Sequence, residues 1–125
     1  MSYTNIFLRG VRQYAPLINE NKAKYPKFNG IYCKKLIFEQ MRIITEMMAW
    51  IEEFIDILPI SSAVEWLQYA KDFCIIYSIE INNAVQYYRY HQLLYLCEER
   101  SLTNYHKNLR RFKKRLQKRL RKAHV

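Results

Sequence analysis

The fold is decided by residues 31–58, IYCKKLIFEQMRIITEMMAWIEEFIDIL. Apolar side chains recur there every three or four positions, which is the period of one face of an α-helix. Neither glycine nor proline interrupts the pattern before Pro59. The spacing predicts a helix of about 28 residues, and its apolar members are Leu36, Ile37, Met41, Ile44, Met47, Met48, Ile51, Phe54, Ile55 and Leu58.

The sequence before this stretch predicts a short helix and a loop. Apolar residues at helical spacing cover residues 4–14, with Thr4 in position to cap the N-terminus. Pro16 follows closely, and because proline lacks a backbone N–H it is expected to stop this helix. Residues 24–30, KYPKFNG, are expected to form the loop that leads to the next helix.

The sequence after Pro59 predicts a third helix. Ser62 followed by Glu65 is a capping-box pattern, so this helix is expected to begin near Ala63. Its apolar pattern continues to about Cys97, which gives roughly 35 residues and a length of about 50 Å. Asn82-Asn83 is the position at which a break is expected if one occurs. The short link after Pro59 favours an antiparallel helical hairpin.

Composition places the chain in the all-α class. Its 125 residues include only two glycines and three prolines, too few for the frequent turns of a sandwich or barrel. The three cysteines form no Cys-x-x-Cys pair, which excludes a disulfide framework and a zinc knuckle. No charge-free apolar run reaches the roughly 18 residues of a membrane span, so no integral membrane association is expected.

Charge divides the chain into three blocks. Residues 1–35 carry seven cations and one acid, residues 36–100 four cations and ten acids, and residues 101–125 ten cations and no acid. The first hundred residues are therefore neutral in sum, and the excess of +10 lies in the last 25. We expect a helical domain over residues 1–100, built as a small hairpin or bundle, and a protruding basic amphipathic helix over residues 101–125.

The basic segment is amphipathic when it is drawn as a helix that begins at a cap on Ser101 or Thr103. Its apolar residues, Leu102, Tyr105, Leu109, Phe112, Leu116, Leu120 and Ala123, fall within an arc of about 80°. Such a narrow stripe suits a helix–helix seam better than a membrane interface, which needs a broad apolar face. The remaining arc holds the candidate nucleic-acid-binding residues Lys107, Arg110, Arg111, Lys113, Lys114, Arg115, Lys118, Arg119, Arg121 and Lys122.

Repulsion within this segment predicts that it is frayed when free. Each pair of like charges four residues apart costs about 0.2–0.5 kcal/mol in an isolated helix. Residues 110–122 contain five such pairs, so the cost is roughly 1–2.5 kcal/mol. Phosphates would neutralise it and order the helix. An intramolecular alternative is that the acidic block of residues 36–100 holds the tail.

Residues 108–122 resemble in composition the arginine-rich motifs of viral RNA-binding regulators, in which one basic helix enters a widened RNA groove. Half of the tail's cations are lysine, whereas those motifs favour arginine. The resemblance implies RNA as a ligand and assigns no role to an individual residue.

Other groupings carry weaker signals. The run Tyr87-Tyr88-Arg89-Tyr90-His91 places aromatic rings beside a cation, but helical geometry favours packing over base stacking. Tyr25 and Phe28 are loop aromatics in the basic first block and are candidates for auxiliary contacts. No pair of histidines or cysteines has zinc spacing, and no Gly-x-Ser-x-Gly or phosphate-binding glycine loop is present, so neither a cofactor nor catalysis is expected.

These observations favour a non-enzymatic nucleic-acid-binding accessory or regulatory protein. RNA is favoured over DNA because no helix-turn-helix pattern is present and because a frayed basic helix folds readily into an irregular RNA groove. The alternative is a helical adaptor that binds a host or partner protein and uses its basic tail only as a localisation signal. A third option is electrostatic attachment to anionic lipid. A homodimer and a cytoplasmic or nuclear location are further expectations. Ile, Tyr, Asn, Lys and Phe supply 50 residues, a bias typical of AT-rich genes, including viral ones.

Overall fold

A computed structural model describes residues 3–25, 27, 31–58 and 60–123. Within these ranges the chain forms four α-helices: α1 (Tyr3–Lys24), α2 (Lys34–Phe54), α3 (Ile60–Tyr90) and α4 (Leu96–Ala123). The all-α class and the small helical bundle that the sequence predicted are thereby confirmed. Among the described helices, none has the length and apolar character that a membrane crossing requires.

Helix α1 is longer than predicted because Pro16 does not stop it. The helix continues through the proline to Lys24, and Phe7, Val11 and Ile18 are buried on both sides of that position. A proline inside a helix costs about 3 kcal/mol through its missing N–H and its ring. Burial of apolar side chains before and after Pro16 offsets this cost, which periodicity alone did not reveal. Of the predicted loop, Lys24 is the last residue of α1 and Tyr25 forms a bend after it, whereas Pro26 and residues 28–30 lie outside the described ranges.

Helix α2 is shorter than the predicted 28 residues. Cys33, in extended conformation with ψ of 157°, precedes it, and residues 55–58 form a turn after it in which Leu58 N–H donates to the Phe54 carbonyl at 3.1 Å. Ile55 and Leu58 are nevertheless buried. The apolar pattern therefore marked core positions correctly but continued into a turn, which periodicity cannot distinguish from a helix.

Helix α3 begins at Ile60, earlier than the predicted Ala63, and ends at Tyr90. The side chains of the proposed capping box, Ser62 and Glu65, lie outside the described part of the structure. Asn82-Asn83 does not break the helix, because Ile81, Ala84 and Val85 around it are buried.

A left-handed residue ends α3 before the predicted Cys97. Gln92 has a φ of 56°, and the Leu93 N–H donates to the Tyr88 carbonyl at 2.9 Å. This 6→1 bond is the kind that closes a helix C-terminus.

Helix α4 begins at Leu96, ahead of both predicted caps. The Glu98 carboxylate accepts a hydrogen bond from the Tyr95 N–H at 2.8 Å, which satisfies a donor that the helix leaves free. Ser101 and Thr103 lie inside the helix and donate to carbonyls four residues earlier. The helix thus crosses the expected boundary between residues 100 and 101.

The hairpin of α2 and α3 forms the centre of the bundle, since α1 and α4 each pack against both of its helices. Among the described residues, α1 and α4 make no backbone contact with each other. At the α1–α2 contact, the Trp50 indole lies against Gly10 and donates from Nε1 to the Phe7 carbonyl at 3.1 Å. Helix α4 packs along α3 and α2. It does not protrude, because the apolar stripe that the sequence showed is buried against the hairpin.

Candidate nucleic-acid interface

The apolar stripe of α4 is part of the core of the bundle. Its described members are all buried, and they are Leu102, Tyr105, Leu109, Phe112, Leu116 and Leu120. Burial of such side chains contributes about 1.5–3 kcal/mol each, which exceeds the like-charge repulsion along the helix. The helix is therefore held by packing without an anion, contrary to the expectation that the free segment is frayed.

A buried hydrogen-bond chain fixes the position of α4 along α3. The Tyr105 and Ser78 hydroxyls are 2.6 Å apart, and the Ser78 hydroxyl donates to the Cys74 carbonyl at 2.7 Å. Because the Ser78 proton is used in that second bond, the Tyr105 hydroxyl donates to Ser78. Burial raises the pKa of Tyr105, so the phenol stays protonated as this arrangement requires.

Two of the ten predicted phosphate-binding cations are turned toward the end of α2. The Arg119 guanidinium donates to the Ile55 carbonyl at 2.7 Å and to the Leu58 carbonyl at 3.0 Å. Arg115 forms ion pairs with Asp56 at 3.2 Å and with Glu52 at 3.5 Å. These contacts anchor the C-terminal half of α4 to the carbonyl end of α2, where cations are favoured by the helix dipole.

Sequence reasoning missed this anchoring role. The available signal was the helical wheel, on which Arg119 lies about 20° from Phe112, at the edge of the buried stripe. Cations so close to a buried stripe lie against the neighbouring helix. The intramolecular alternative is thus realised only in part, through Arg115 and its two acids.

Seven cations form what we call the outer ridge, on the side of α4 opposite the buried stripe. All seven are exposed, and within the described part of the chain none of them forms an ion pair. They span about 22 Å along the helix axis at 1.5 Å per residue. The outer ridge consists of Lys107, Arg110, Arg111, Lys114, Lys118, Arg121 and Lys122.

The acids of the bundle are largely occupied by cations of the other helices. Glu80 pairs with Lys22 at 2.6 Å, and Glu98 with Lys34 at 2.9 Å. Other such pairs are Arg42 with Glu39 and Glu46, and Arg89 with Glu99. The acidic middle block predicted from sequence therefore forms two ion pairs with the basic N-terminal block, two with Arg115 and three within itself. None of these pairs involves the outer ridge, which remains positive.

The flank of α4 that faces α3 carries Lys113 and His106. Both are half-buried, and they line a shallow cleft with Ile75, Ser78, Ile79, Asn82 and Leu109. Burial lowers the pKa of His106, and Arg89, Arg110 and Lys113 lower it further through their positive charge. His106 is thus neutral at pH 7 and adds no charge to the ridge, and of the three cations that lower its pKa only Arg110 belongs to the ridge.

The aromatic residues that the sequence suggested for base stacking differ in exposure. Tyr88 is half-buried and donates to the Tyr32 carbonyl at 2.8 Å, so it is a packing residue. Tyr87 and Tyr90 are exposed on α3 and are not part of α4. Tyr25 lies beneath the ammonium groups of Lys24 and Lys35, whereas Phe28 is outside the described ranges.

The cysteines show graded exposure. Cys74 is buried, which raises the pKa of its thiol to about 12, whereas Cys97 is exposed. Among the described residues, no three histidine, cysteine or acidic side chains are grouped closely enough to hold a metal ion.

Comparisons of the chain with protein-family models, curated proteins and solved structures find no match. The function therefore has to be argued from the charge and geometry of α4.

Proposed function

We propose that this protein binds nucleic acid through the outer ridge of α4 and has no enzymatic activity of its own. The observation that carries the proposal is the line of seven exposed, unpaired cations, fixed along about 22 Å of a helix whose opposite face is buried. Phosphate backbones are the commonest polyanions in a cell, and their neutralisation by Lys and Arg supplies sequence-independent affinity. Arg115, Arg119 and Lys113 support the helix or its flank and are secondary contributors.

The docking of α4 changes the form of recognition that we propose. A helix pinned along one side presents only its outer arc to a ligand, because its inner side is part of the bundle core. The ridge then contacts backbone phosphates, which position a protein without reading sequence. The sequence-based preference for RNA assumed a free helix that folds into a groove, so we now propose binding to RNA and DNA alike, in the cytoplasm or nucleus.

The salt dependence of binding follows from the number of phosphates contacted. If about five ridge cations contact phosphates, log K falls with log salt with a slope of about −4 to −5. Affinity then drops several hundredfold between 50 and 200 mM salt.

The test is a titration of the intact protein with duplex DNA and with structured RNA at both salt concentrations. The ridge variant combines Arg110→Ala, Lys114→Ala and Lys118→Ala. The matched control combines Lys24→Ala, Lys27→Ala and Lys35→Ala, which removes the same net charge from exposed positions in or near α1 and α2. We expect the slope to lose about 2–3 units in the ridge variant, since each phosphate contact contributes about 0.9.

Two other outcomes reject the proposal. Equal losses in the ridge variant and the control would mean that net charge alone drives binding. Absence of salt-sensitive affinity for both nucleic acids would favour the alternative of a helical adaptor for a partner protein with a basic localisation signal. Anionic vesicles, titrated alongside, separate nucleic acid from lipid. Deletion of residues 107–125 is unsuitable as a test because it also removes Leu109, Phe112 and Leu116 from the core.

A further inference from the structure

The solvent faces of the two central helices differ in chemistry. On α2 the exposed side carries charged residues, and Arg42 bridges Glu39 and Glu46 there. On α3 the exposed side carries five apolar or aromatic residues and the polar Asn83, which together we call the α3 face: Tyr69, Ile76, Ile79, Asn83, Tyr87 and Tyr90. This difference within one hairpin indicates that the α3 face is covered by a partner, because contiguous apolar patches mark interaction sites.

The members of the α3 face are substantially exposed in the monomer. The exposed fractions are 57% for Ile76, 54% for Ile79, 52% for Tyr69, 38% for Tyr87 and 84% for Tyr90. With about 200 Å² for a fully exposed aromatic side chain, the three tyrosines alone offer roughly 350 Å². With the isoleucines included, two such faces together bury about 1,000 Å², which is the lower limit for a specific interface.

We propose that the α3 face is a homodimer interface, in which α3 of one copy packs antiparallel against α3 of a second copy around a two-fold axis near Ile79. Tyr69, Ile76, Asn83 and Tyr90 are spaced seven residues apart, as in a helix–helix seam. The proposal is separate from nucleic-acid binding and does not depend on it.

A second copy fits because the face is self-complementary. An axis between residues 79 and 80 pairs Tyr69 with Tyr90 of the other copy and Ile76 with Asn83. It also places the exposed Asp72 carboxylate opposite the Tyr87 hydroxyl, which is a hydrogen-bond donor. Each of these contacts occurs twice, as an isologous interface requires.

Charge also favours a second copy at this face. Copies with a net charge of +10 repel each other wherever cations meet, as they would at the outer ridge. The members of the α3 face are themselves uncharged, and the neighbouring acid Glu80 is paired with Lys22. Two cations of the adjacent helices border the face, Arg12 at Tyr69 and Lys113 at Ile79. In a dimer formed through α3, the outer ridges of the two copies would therefore lie outside the interface.

The proposal is tested first by sedimentation velocity of the full chain over a range of concentrations, without nucleic acid. We expect a reversible dimer that persists at high salt, since its contacts are mainly apolar. Ile76→Lys should raise the dimer Kd at least tenfold, whereas Ile57→Lys, at an equally exposed isoleucine outside the α3 face, should leave it unchanged. Circular dichroism checks that both variants are folded.

Crosslinking then tests the antiparallel arrangement. In a background with Cys33→Ser and Cys97→Ser, Ile79→Cys should crosslink to its own copy with a short bismaleimide. Tyr90→Cys should not, because an antiparallel pair places the two copies of residue 90 about 30 Å apart. A protein that stays monomeric, a dimer that Ile76→Lys does not weaken, or efficient crosslinking at position 90 would each overturn the proposal.

Discussion

Replacement of Arg119 by methionine should destabilise the fold while leaving the outer ridge intact. The variant keeps an unbranched apolar stem but removes the guanidinium that donates to the Ile55 and Leu58 carbonyls. Hydrogen bonds from a charged donor contribute about 1.5–3 kcal/mol each when they are buried. Because Arg119 is half-buried and water can reach the freed carbonyls, we expect a total loss of about 2 kcal/mol, with Arg119→Lys losing about half as much.

Urea denaturation followed by far-UV circular dichroism measures this loss as a shift of the midpoint at constant m-value. The control is Arg110→Met on the exposed ridge, which should change the free energy of unfolding by less than about 0.5 kcal/mol. The effect on nucleic-acid affinity should be the reverse: Arg110→Met should lower the affinity, whereas Arg119→Met should lower it only slightly. If Arg119→Met is as stable as the control and loses more affinity, the assignment of Arg119 as an anchor is refuted.

Three further predictions follow from other parts of the bundle. Gly10→Ala should destabilise the protein by about 2 kcal/mol despite alanine's better helix propensity, because a Cβ there would lie 2.1 Å from Trp50 Cε2; chemical denaturation measures the change. The pKa of His106 is lowered on folding, so the stability that its neutral form provides is present above about pH 6.5 and is lost as the pH falls through the folded-state pKa. We therefore expect the urea midpoint to fall between pH 7 and 5.5. A midpoint that does not change over this range, or one that changes equally in His106→Gln, would contradict this. A maleimide should modify Cys97 in the native protein and reach Cys74 only on unfolding, which mass spectrometry with and without urea distinguishes.

The sequence was sufficient to predict which residues face the core. Apolar spacing identified the inward sides of α2 and α4, and the predicted stripe members Leu109, Phe112 and Leu116 are buried. It predicted helix ends less well, because ends depend on features that periodicity does not contain. The left-handed Gln92 and the Glu98 cap are set by local hydrogen bonds, and the passage of α1 through Pro16 is set by packing against other helices.

For the site, the amino-acid composition located the basic residues of α4 but could not show which of them anchor the helix and which face solvent. Ten basic residues in one segment have the same sequence signal, whereas their roles depend on the neighbouring helix that each one meets. Arg115 and Arg119 meet the carbonyl end of α2, and Lys113 lies in a cleft against α3. The seven remaining cations are distinguished only once the docking of α4 is known.

The hydrogen-bond chain from Tyr105 through Ser78 to Cys74 determines where the positive charges stand in space. A slip of α4 by one helical turn, 5.4 Å, would leave the buried Tyr105 hydroxyl without its partner, whereas Ser78 would keep its bond to the Cys74 carbonyl in the same helix. The slip is therefore disfavoured by about 1–3 kcal/mol. The backbone positions from which the cations of α4 extend are thus fixed relative to the bundle. Under the proposed function, a flexible polyanion that binds the outer ridge would adjust its own backbone to that spacing.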